Sequence, residues 1–367
     1  MPLHSGEIVL GILGGGQLGR MSAMAAAELG ISVIIYAPEG NCPASHVATD
    51  TIVAAYDDET ALKDFVEKTT VISYEFENIP VKTIEYIESL KPKCVFPEKS
   101  LLNVSQDRIK EKTFLNENDI QTTRWAAISD TNDINNVSNL WKSDKFILKT
   151  ARFGYDGKGQ IKCESESIDN NAELDAFLAA NKDNDIIMED HVSFKSEISI
   201  IIARDINSKT ALYGPMLNEH KNHILHKTTV PCDVSEKVKE QAFNVAQKIA
   251  DSINLVGVLT VEYFVCEDDT VLVNEIAPRT HNSGHWTIDA CSVSQFDNHV
   301  RTVCGLSVGN SERHSNAEML NLIGKDVNDV DQYLNQPFTN VHLYGKTQVK
   351  DGRKMGHVTK ISPKTDS

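Results

Sequence analysis

The sequence lacks the long apolar segments and the paired cysteines that mark two large classes of protein. No apolar run approaches the roughly 20 residues that a membrane-spanning helix needs, and the first seven residues carry no basic cluster of the kind that opens a secretory signal. The 7 cysteines are scattered and never form a CxxC pair, which argues against a zinc site or a disulfide framework. We therefore expect a cytoplasmic protein that does not associate with membranes.

Basic residues are scarce relative to acidic ones. There are 36 lysines and arginines against 52 acidic residues, and the formal net charge is −16. A field of this sign repels nucleic acid and anionic lipid over most of the surface, so we expect neither as a partner. A small anionic substrate would need a local basic pocket. The stretch 342–364, rich in lysine and arginine, could supply one, and a solvated basic face is the alternative.

The chain is long enough for more than one hydrophobic core. Its 367 residues are 41% hydrophobic and 24% charged, which is normal for a globular protein and suggests two or three packed units. We place these units at 1–106, 107–308 and 309–367. The first break precedes a polar helix that begins at Asp107, and the second lies near the polar stretch 310–315.

Strands alternate with helices in the first unit, which is typical of a doubly wound parallel α/β sheet. The pattern there predicts strands at 8–13, 31–36 and 71–76 and a helix at 20–29. In the second unit, a mixed α+β pattern predicts strands at 146–149, 186–188, 198–203, 258–265 and 271–276 and a helix at 237–253. Short strands and the turn signal Asp351-Gly352 predict a small β-rich third unit.

A glycine cluster at 14–19, Gly-Gly-Gly-Gln-Leu-Gly, separates the first predicted strand from the first predicted helix. Such a cluster lets a phosphate approach the backbone at a helix N-terminus. A dinucleotide site would also need an acid at the end of the second strand, but the nearest acid is Glu39, which follows Pro38. A nicotinamide site is thereby disfavoured. A tight turn without a ligand and a contact to a phosphate or ribonucleotide both stay open.

Polar side chains follow the strand at 71–76. Glu75, Glu77 and Asn78 lie at its carboxyl end, the edge at which open α/β sheets bind ligands. A carboxylate there could bind ribose hydroxyls. A polar turn ended by Pro80 is the alternative.

Lys149 and the glycine-rich loop that follows predict a triphosphate site. Lys149 ends an apolar strand, and the loop 154–160 reads Gly-Tyr-Asp-Gly-Lys-Gly-Gln. A strand lysine supplies charge and a glycine-rich loop supplies backbone donors. The loop is not a Walker A motif, because the GK[ST] ending is missing. A hairpin turn would explain the glycines but not the lysine that interrupts the strand.

The apolar run at 186–188 leads into the polar turn 189–192, Glu-Asp-His-Val, and Glu197 lies shortly beyond. An apolar strand that runs into a polar turn suits an adenine site, where backbone groups contact the base and a carboxylate contacts the ribose. Each acid taken alone is also compatible with an ordinary surface position.

Two acids in the predicted hairpin indicate a metal site. If the loop consists of residues 267–270, Cys266 pairs with Val271 and Glu262 lies directly across from Glu275. Facing carboxylates destabilise a sheet unless they are neutralised, and Mg²⁺ that bridges ATP phosphates would neutralise them. A loop one residue longer or shorter would put the acids on opposite faces.

Polar groups also surround this acid pair in the sequence. Asn274 adds a neutral oxygen, and the stretch 279–285, Arg-Thr-His-Asn-Ser-Gly-His, follows directly after Pro278. Cationic and hydrogen-bonding groups in this arrangement suit an oxyanion such as a carboxylate, bicarbonate or phosphate.

Five motifs, at 14–21, 75–78, 154–160, 274–279 and 281–286, occur in the order found in one family. From about residue 7 to about residue 360 the chain resembles the N5-carboxyaminoimidazole ribonucleotide synthetases, the ATPase subunits of phosphoribosylaminoimidazole carboxylase, within the ATP-grasp superfamily. The His-Asn-Ser-Gly-His-Trp stretch and the triple glycine carry the family-specific part of this resemblance.

The resemblance implies a pre-ATP-grasp domain, a two-lobed ATP-grasp domain and a small C-terminal domain. It implies that ATP phosphorylates bicarbonate to carboxyphosphate in purine biosynthesis. That intermediate, or carbon dioxide released from it, is trapped by the amine of 5-aminoimidazole ribonucleotide. The resemblance also implies a homodimer.

It further implies roles for individual residues. ATP would contact Arg108, Lys149, Gly154, Tyr155, Asp156, Gly157, Lys158, Gly159, Gln160, Glu189, Asp190, His191, Val192, Glu197, His220, Asn274 and Glu275. The ribonucleotide would contact Gln17, Leu18, Glu75, Tyr155, Asp156, Arg279, His281, Lys346 and Arg353. Catalytic roles would belong to Asp156, Arg279, His281, Lys346 and Arg353. Glu262 and Glu275 would bind Mg²⁺, for which Mn²⁺ can substitute.

Several alternatives stay open. A formate-dependent ribonucleotide transformylase is disfavoured by the stretch 281–286, and a biotin carboxylase by the short chain. A catalytically silent nucleotide-binding subunit is a different class, which loss of Lys149, Glu262 or Glu275 would have favoured; all three are present. An NAD-dependent dehydrogenase is the weakest alternative.

Overall fold

The computed structural model describes residues 5–154 and 157–365. Tyr155 and Asp156, two of the predicted site residues, lie outside the described residues. Within the described part, the strands form three sheets. No helix in these residues has the length and apolar character that crossing a bilayer requires.

The first unit is built on a parallel four-stranded sheet. Its strands are β1 Val9–Leu13, β2 Ser32–Ala37, β3 Asp50–Val53 and β4 Val71–Tyr74, in the spatial order β3-β2-β1-β4. Its helices are α1 Gln17–Glu28, α2 Glu59–Lys68, α3 Val81–Leu90 and α4 Lys99–Ser105. The predicted parallel α/β sheet is confirmed. The pattern did not predict β3, because its side chains are exposed or half-buried and form no apolar run.

Helix α1 places the glycine cluster at the carboxyl edge of this sheet. Met21, Ala23 and Ala26 are buried in the core that α1 shares with β1, β2 and the later helix Gln295–Val303. Gly30, at φ 68°, follows the last turn as predicted. The amide of Ile31 donates to the Ala26 carbonyl over 2.9 Å and closes the helix end.

A smaller antiparallel sheet, ordered β5-β8-β6-β7, follows in the second unit. Its strands are β5 Trp125–Ile128, β6 Lys145–Thr150, β7 Gln160–Glu164 and β8 Ile186–Asp190. The helices of this segment are α5 Arg108–Glu117, α6 Thr131–Trp141 and α7 Ala172–Ala180. Asp107 caps α5 by accepting the amide hydrogen of Ile109 over 3.0 Å. The boundary predicted before this helix therefore coincides with a helix start.

The third sheet is antiparallel and eight-stranded, in the order β13-β12-β9-β10-β11-β14-β16-β15. Its strands are β9 Phe194–Arg204, β10 Thr210–Lys221, β11 Ile224–Val230, β12 Gly257–Cys266, β13 Val271–Ala277, β14 Ser315–Ile323, β15 Thr339–Leu343 and β16 Lys354–Pro363. The accompanying helices are α8 Glu236–Ser252, α9 Thr287–Ala290, α10 Gln295–Val303 and α11 Asp331–Leu334. Because β14 pairs with β11, the C-terminal strands continue the sheet of the second unit.

Helix α8 covers one face of this large sheet. Val238, Ala242, Ala246 and Ile249 are fully buried against it, as the helical spacing predicts. Ser235 caps the helix by accepting the amide hydrogen of Val238. This packing anchors β9 and β12. Strand β13, which pairs with β12 on the side away from β9, borders the site.

Candidate active site

A cavity of about 590 Å³ lies where the three sheets meet. The first sheet contributes its carboxyl edge, the small sheet contributes β6 and its loop, and the large sheet contributes β12 and β13. The predicted site residues that line it are Gln17, Leu18, Glu75, Arg108, Lys149, Gly154, Gly157, Lys158, Gln160, Glu197, His220, Glu262, Asn274, Glu275, Arg279 and His281. Residues far apart in sequence are thus brought to one cavity.

Several predicted residues are absent from this wall, as far as the described residues go. They are Gly159, Glu189, Asp190, His191, Val192, Lys346 and Arg353. Asp190 pairs with Arg124 through its carboxylate. Gly159 packs against Thr150: a Cβ on Gly159 would lie 2.7 Å from the Thr150 Oγ1. The nucleotide roles of residues 189–192 stay predictions.

Glu262 and Glu275 lie directly across from each other on β12 and β13, as predicted. The route to this pairing differs from the predicted one. Val265, rather than Cys266, pairs with Val271, so the loop is longer than expected. Continued without interruption, this register would place Asn274 opposite Glu262. A β-bulge between Glu262 and Tyr263 adds one residue on β13 and restores the facing of the two acids.

Each acid of the pair is held by a nitrogen-containing side chain. His281 Nε2 lies 2.9 Å from an oxygen of Glu262, and Arg108 Nη1 donates to Glu275 over 3.2 Å. Burial raises the pKa of Glu262, but the charge and hydrogen bond of His281 outweigh it and lower that pKa to about 2. Glu262 is therefore ionised at neutral pH, which suits a cation ligand. Arg108 also donates to the carbonyl of Gly154 and so joins the acid pair to the glycine-rich loop.

Lys149 projects from β6 toward a buried acid on the neighbouring strand. Its Nζ lies 2.7 Å from Glu189, which is 3% exposed, and Lys112 Nζ lies 3.8 Å from the other oxygen of that carboxylate. Burial raises the pKa of Glu189, but the two lysines lower it to about 2. The Glu189 carboxylate thus neutralises the lysines and keeps the head group of Lys149 at the cavity wall.

A second pair lies on the large sheet. His220 Nδ1 is 2.5 Å from Glu197, across β10 and β9. Burial lowers the pKa of His220, but the hydrogen bond and charge of Glu197 raise it above its ordinary value. The stacked rings of Phe194 and Phe264, 4.5 Å apart, border the same end of the cavity. This end combines a flat apolar surface with polar groups.

Glu75 binds the glycine cluster from within the protein. The amides of Gly16 and Gly19 donate to its two carboxylate oxygens, the second over 2.8 Å. A Cβ on Gly14 would lie 2.4 Å from the Glu75 Cγ. These glycines therefore make room for Glu75. Of the alternatives left open for the cluster, a free phosphate cradle does not fit, because Glu75 occupies two of its amide donors.

Arg279 is held by Glu77 across the boundary between the first and second units. Its Nε donates to the Glu77 carboxylate. Burial raises the pKa of Glu77, but the charge and hydrogen bond of Arg279 lower it below its ordinary value. This contact joins the motifs at 75–78 and 274–279, which are far apart in the sequence.

Lys346 and Arg353 lie in the segment between β15 and β16, and neither is among the described residues that line the cavity. Lys346 Nζ donates to the carbonyl of Lys354 over 2.6 Å. Burial, together with the charge of Arg353, lowers the pKa of Lys346 to about 8, while Glu75 opposes this shift. The charge of Lys346 in turn acts to lower the pKa of Glu75, although burial keeps that pKa above its ordinary value.

Comparison with known proteins identifies the family. The chain is 45% identical over 357 residues to the N5-carboxyaminoimidazole ribonucleotide synthase of Brucella melitensis, with 97% of each chain covered. The chain belongs to the N5-carboxyaminoimidazole ribonucleotide synthase family. It is also 38% identical to the Bacillus subtilis synthase, over 96% of this chain and 90% of that one. The predicted resemblance is confirmed, and with it the assignment as an ATP-grasp ligase.

Family models and solved structures agree with this membership. Models of the ribonucleotide synthetase preATP-grasp domain, the ATP-grasp domain and the phosphoribosylaminoimidazole carboxylase C-terminal domain match residues 8–106, 113–296 and 317–367. The synthetase of Staphylococcus aureus complexed with ADP superposes with a TM-score of 0.90 at 36% identity, over 98% of this chain and 94% of that one. The synthase of Aspergillus clavatus, in complex with ADP and 5-aminoimidazole ribonucleotide, gives 0.88 at 27%, over 97% and 94%.

Two buried residues of α5 next to the cavity were not predicted: Glu111, which lines it, and Lys112, which lies behind its wall. Both are buried on α5 and contact β13. The available signal was the spacing of Lys112 four residues after Arg108, which puts both on one helix face. In a polar helix this signal does not distinguish a buried lysine from a solvated one.

Proposed function

We propose that this chain uses ATP and bicarbonate to carboxylate 5-aminoimidazole ribonucleotide to its N5-carboxy derivative in purine biosynthesis. The proposal depends on family membership and on one observation in the chain itself. Lys149, the facing acids Glu262 and Glu275, and the polar edge at Glu75 all meet in a single cavity. Phosphoryl transfer to a small acceptor requires this combination of cation, metal ligands and acceptor site.

Glu262 and Glu275 would hold the magnesium ion, with the Asn274 oxygen beside them. Their charge and their position on facing strands fit a hard divalent cation that takes oxygen ligands. When bound, the ion would neutralise charge on the ATP phosphates. We propose that His281 and Arg108 keep the two carboxylates apart and ionised before the ion arrives.

For the nucleotide we propose three groups of contacts. Lys149 and Arg108 supply positive charge to the phosphates, and Lys158 and the glycine amides of its loop cover them. Glu197 and His220 contact the ribose end. The base is proposed to lie along the end of β8, with Glu189 acting through Lys149 rather than on the ribose. Gln160 and Gly159 complete the loop, and Tyr155 and Asp156 keep their predicted contacts.

The chemistry proceeds in two transfers. A bicarbonate oxygen attacks the γ-phosphorus of ATP, the bond to the ADP oxygen breaks, and carboxyphosphate forms. The amine of the ribonucleotide then attacks the carboxyl carbon, or carbon dioxide released from carboxyphosphate, and inorganic phosphate and a proton leave. Arg279 and His281 are proposed to hold the oxyanions, because Glu77 and Glu262 position them at the cavity wall. The cavity limits water, which would hydrolyse carboxyphosphate.

The ribonucleotide is proposed to contact Gln17, Leu18 and Glu75 at the edge of the first sheet. Its phosphate would then reach toward Lys346 and Arg353. This arrangement uses all three proposed units, 1–106, 107–308 and 309–367. We further propose a cytoplasmic homodimer, which sedimentation of the purified protein can test.

The decisive experiment measures ADP release by the purified protein. We expect release to require Mg²⁺, bicarbonate and 5-aminoimidazole ribonucleotide together, with consumption of the amine. Replacing bicarbonate by formate should abolish it, because formate carries a hydrogen where bicarbonate carries a third oxygen and could yield only a formyl group, not a carbamate. Release supported by formate would favour the transformylase instead. If Mg²⁺, bicarbonate and 5-aminoimidazole ribonucleotide together do not increase ADP release from ATP, the proposed activity is overturned.

A further inference from the structure

Lys112 is a buried lysine whose only exposed fraction is 1% of its side chain. Its Nζ donates to the carbonyl of Asn274 over 2.9 Å and lies 3.4 Å from the carbonyl of Val273. These carbonyls belong to the segment of β13 in which the β-bulge occurs. Lys112 therefore binds the backbone of β13 at the point where the strand register changes.

The bulge creates the need for such a contact. Asn274 is the extra residue of β13, opposite no residue of β12, and an extra residue in a bulge leaves the regular ladder. A buried carbonyl without a partner costs roughly 1–3 kcal/mol. An ammonium group satisfies this carbonyl with a charge-assisted hydrogen bond, which is stronger than a neutral one.

The register of the bulge decides where Glu275 points. A shift of one residue along a strand moves a side chain to the opposite face of the sheet. Glu262 and Glu275 face each other only because the bulge lies between residues 273 and 275. A second contact from the same helix, from the amide of Ile276 to Glu111 at 3.4 Å, holds β13 on the other side of the bulge.

Lys112 also reaches the small sheet. Its Nζ lies 3.8 Å from Glu189, whose other oxygen accepts a hydrogen bond from Lys149. One ammonium group on α5 thus connects the strand that carries Glu275 with the strand pair that carries Lys149. These are the two elements whose separation sets the distance between metal and phosphate.

We propose that Lys112 is a positioning residue that fixes the bulge in β13 and thereby the facing of the metal-binding acids, and that it sets their distance from Lys149. It touches neither substrate nor metal. The proposal rests on the proposed function, because it assigns Glu262 and Glu275 to the metal ion. Loss of Lys112 should therefore change the Mg²⁺ concentration for half-maximal activity more than the ribonucleotide concentration for half-saturation.

The test compares Lys112→Met with Lys110→Met. Methionine keeps the length of the side chain and removes the charge and the donors. Lys110 lies on the same helix but is exposed, and its Nζ donates to Asn103 over 2.9 Å. We expect Lys112→Met to raise the Mg²⁺ concentration for half-maximal ADP release by about tenfold or more, the effect of a lost hydrogen bond to a charged group. Half-saturation by the ribonucleotide should change less than twofold, and Lys110→Met should match the wild type.

A purely structural role gives a different result. Lost stability alone would lower the unfolding midpoint and the active fraction, while the folded enzyme kept its half-saturating Mg²⁺ concentration. That outcome would overturn the proposal. Lys112→Arg, which keeps charge and donors, should restore part of the metal affinity.

Two further measurements keep the test decisive. If Lys112→Met does not fold, the double variant Lys112→Met/Glu189→Gln, which removes the charge that Lys112 opposes, is compared with Glu189→Gln alone. A tenfold difference in metal requirement supports the proposal, and equal values contradict it. Mn²⁺ binding in the presence of ADP, followed by electron paramagnetic resonance, reports the same difference without turnover. This readout separates a failure of the Lys112 proposal from a failure of the proposed activity, which wild-type ADP release tests.

Discussion

At Glu262 and Glu275, two carboxylates face each other across a pair of strands, and each has a different partner that contacts it through nitrogen. His281 and Arg108 offset the repulsion that would otherwise destabilise the hairpin. Both partners lie on other parts of the chain, so the acids are held in place before a metal ion binds. The two carboxylates are thereby preorganised for the divalent cation that is proposed to neutralise a nucleotide's phosphates.

Glu275→Gln should nearly abolish turnover without unfolding the protein. The amide keeps the size of the side chain but removes one of the two charges proposed to bind Mg²⁺, and we expect ADP release to fall by about 10²–10³-fold. Glu267→Gln, in the exposed loop of the same hairpin, is the matched control and should retain activity. Circular dichroism checks folding. Near-normal ADP release by Glu275→Gln would refute the metal assignment.

Lys346 predicts a pH limit on use of the ribonucleotide. Its pKa is lowered to about 8 by burial and by Arg353, so the ammonium group loses its proton as the pH rises through about 8. If it binds the ribonucleotide phosphate, the contribution of Lys346 to kcat/KM for this substrate should be constant well below pH 8, where the ammonium group is protonated, and should fall above that pH. Lys346→Ala should lower kcat/KM and remove this limb of the profile.

Arg353→Ala tests the contribution of a fixed positive charge near Lys346, because arginine does not lose its proton in this pH range. We expect it to raise the ribonucleotide concentration for half-saturation by about tenfold, as for a lost charge-assisted hydrogen bond. The pH limb should persist but move to higher pH, because Arg353 no longer lowers the pKa of Lys346. Half-saturation by ATP should change little. Lys350→Ala, an exposed residue of the same segment, serves as the control. Unchanged saturation by the ribonucleotide in both Lys346→Ala and Arg353→Ala would remove the C-terminal strands from the site.

On the scale of elements, the turn between β1 and α1 is shaped around a side chain from β4. Glu75 accepts hydrogen bonds from the start of α1, where the helix dipole favours negative charge. Burial nonetheless raises the pKa of Glu75 above its ordinary value. The glycines are required there by the close approach of this carboxyl group, and the helix and the strand are thereby fixed relative to each other.

Gly14→Ala tests this packing, with Gly305→Ala as its control. Both glycines have positive φ, 111° and 75°, but a Cβ on Gly305 would meet nothing within 4 Å. We expect Gly305→Ala to lower the free energy of unfolding by about 1 kcal/mol and Gly14→Ala by about 2–4 kcal/mol, because it also displaces Glu75. Urea unfolding measures both. Equal losses would show that Glu75 moves away without cost.

On the scale of the whole molecule, buried histidines join the C-terminal strands to the second unit. His342 Nε2 lies 2.9 Å from Asp289, and His357 Nδ1 lies 2.9 Å from the Tyr344 hydroxyl. The rings of His342 and His357 stack 4.5 Å apart, and His285 packs against His357 at 4.8 Å. These contacts dock β15 and β16 onto α9, and Lys346 lies just beyond β15.

The buried histidines predict loss of stability in mild acid. Burial lowers the pKa of His285 and His357 well below the ordinary value, and that of His299 to about 4. At these three histidines the unfolded chain therefore binds more protons than the folded one below pH 6.5, and their contribution to the free energy of unfolding falls as the pH drops. Glu111, whose pKa burial raises to about 8, and His220, whose pKa is raised by Glu197, act in the opposite direction. Each group contributes up to about 1.4 kcal/mol per pH unit. Urea unfolding at pH 7.5, 6.5 and 5.5 measures the slope.

A variant checks the assignment of this slope. His357→Gln should reduce the number of protons taken up on unfolding between pH 6.5 and 5.5 by about one, since glutamine does not titrate. The slope of the free energy of unfolding against pH should become shallower accordingly. Glu189 and Glu262, whose pKa values are lowered to about 2, lose their contribution only below the ordinary glutamate range and do not interfere in this window. The same pH dependence in the wild type and in His357→Gln would contradict the burial of a neutral His357.

The amino-acid sequence by itself determined the parts of this protein that depend on local pattern. Apolar periodicity indicated β1, β2, β4, β6 and α8, and motif order indicated the family. Lys149 and the two hairpin acids were recognisable because a charged side chain interrupts an apolar strand. Such signals are contained in a few neighbouring residues, so they can be detected without knowledge of what the strands pack against.

Only the tertiary structure decided which groups pair. The bulge in β13, the occupation of the glycine cluster by Glu75, and the burial of Lys112 depend on residues that are distant in sequence. A polar helix such as α5 shows the same pattern whether its lysines are solvated or bind a strand. The hairpin illustrates the limit: its predicted register was off by one residue, and the bulge brought the acids together because Lys112 and Glu111, from another element, hold the displaced backbone.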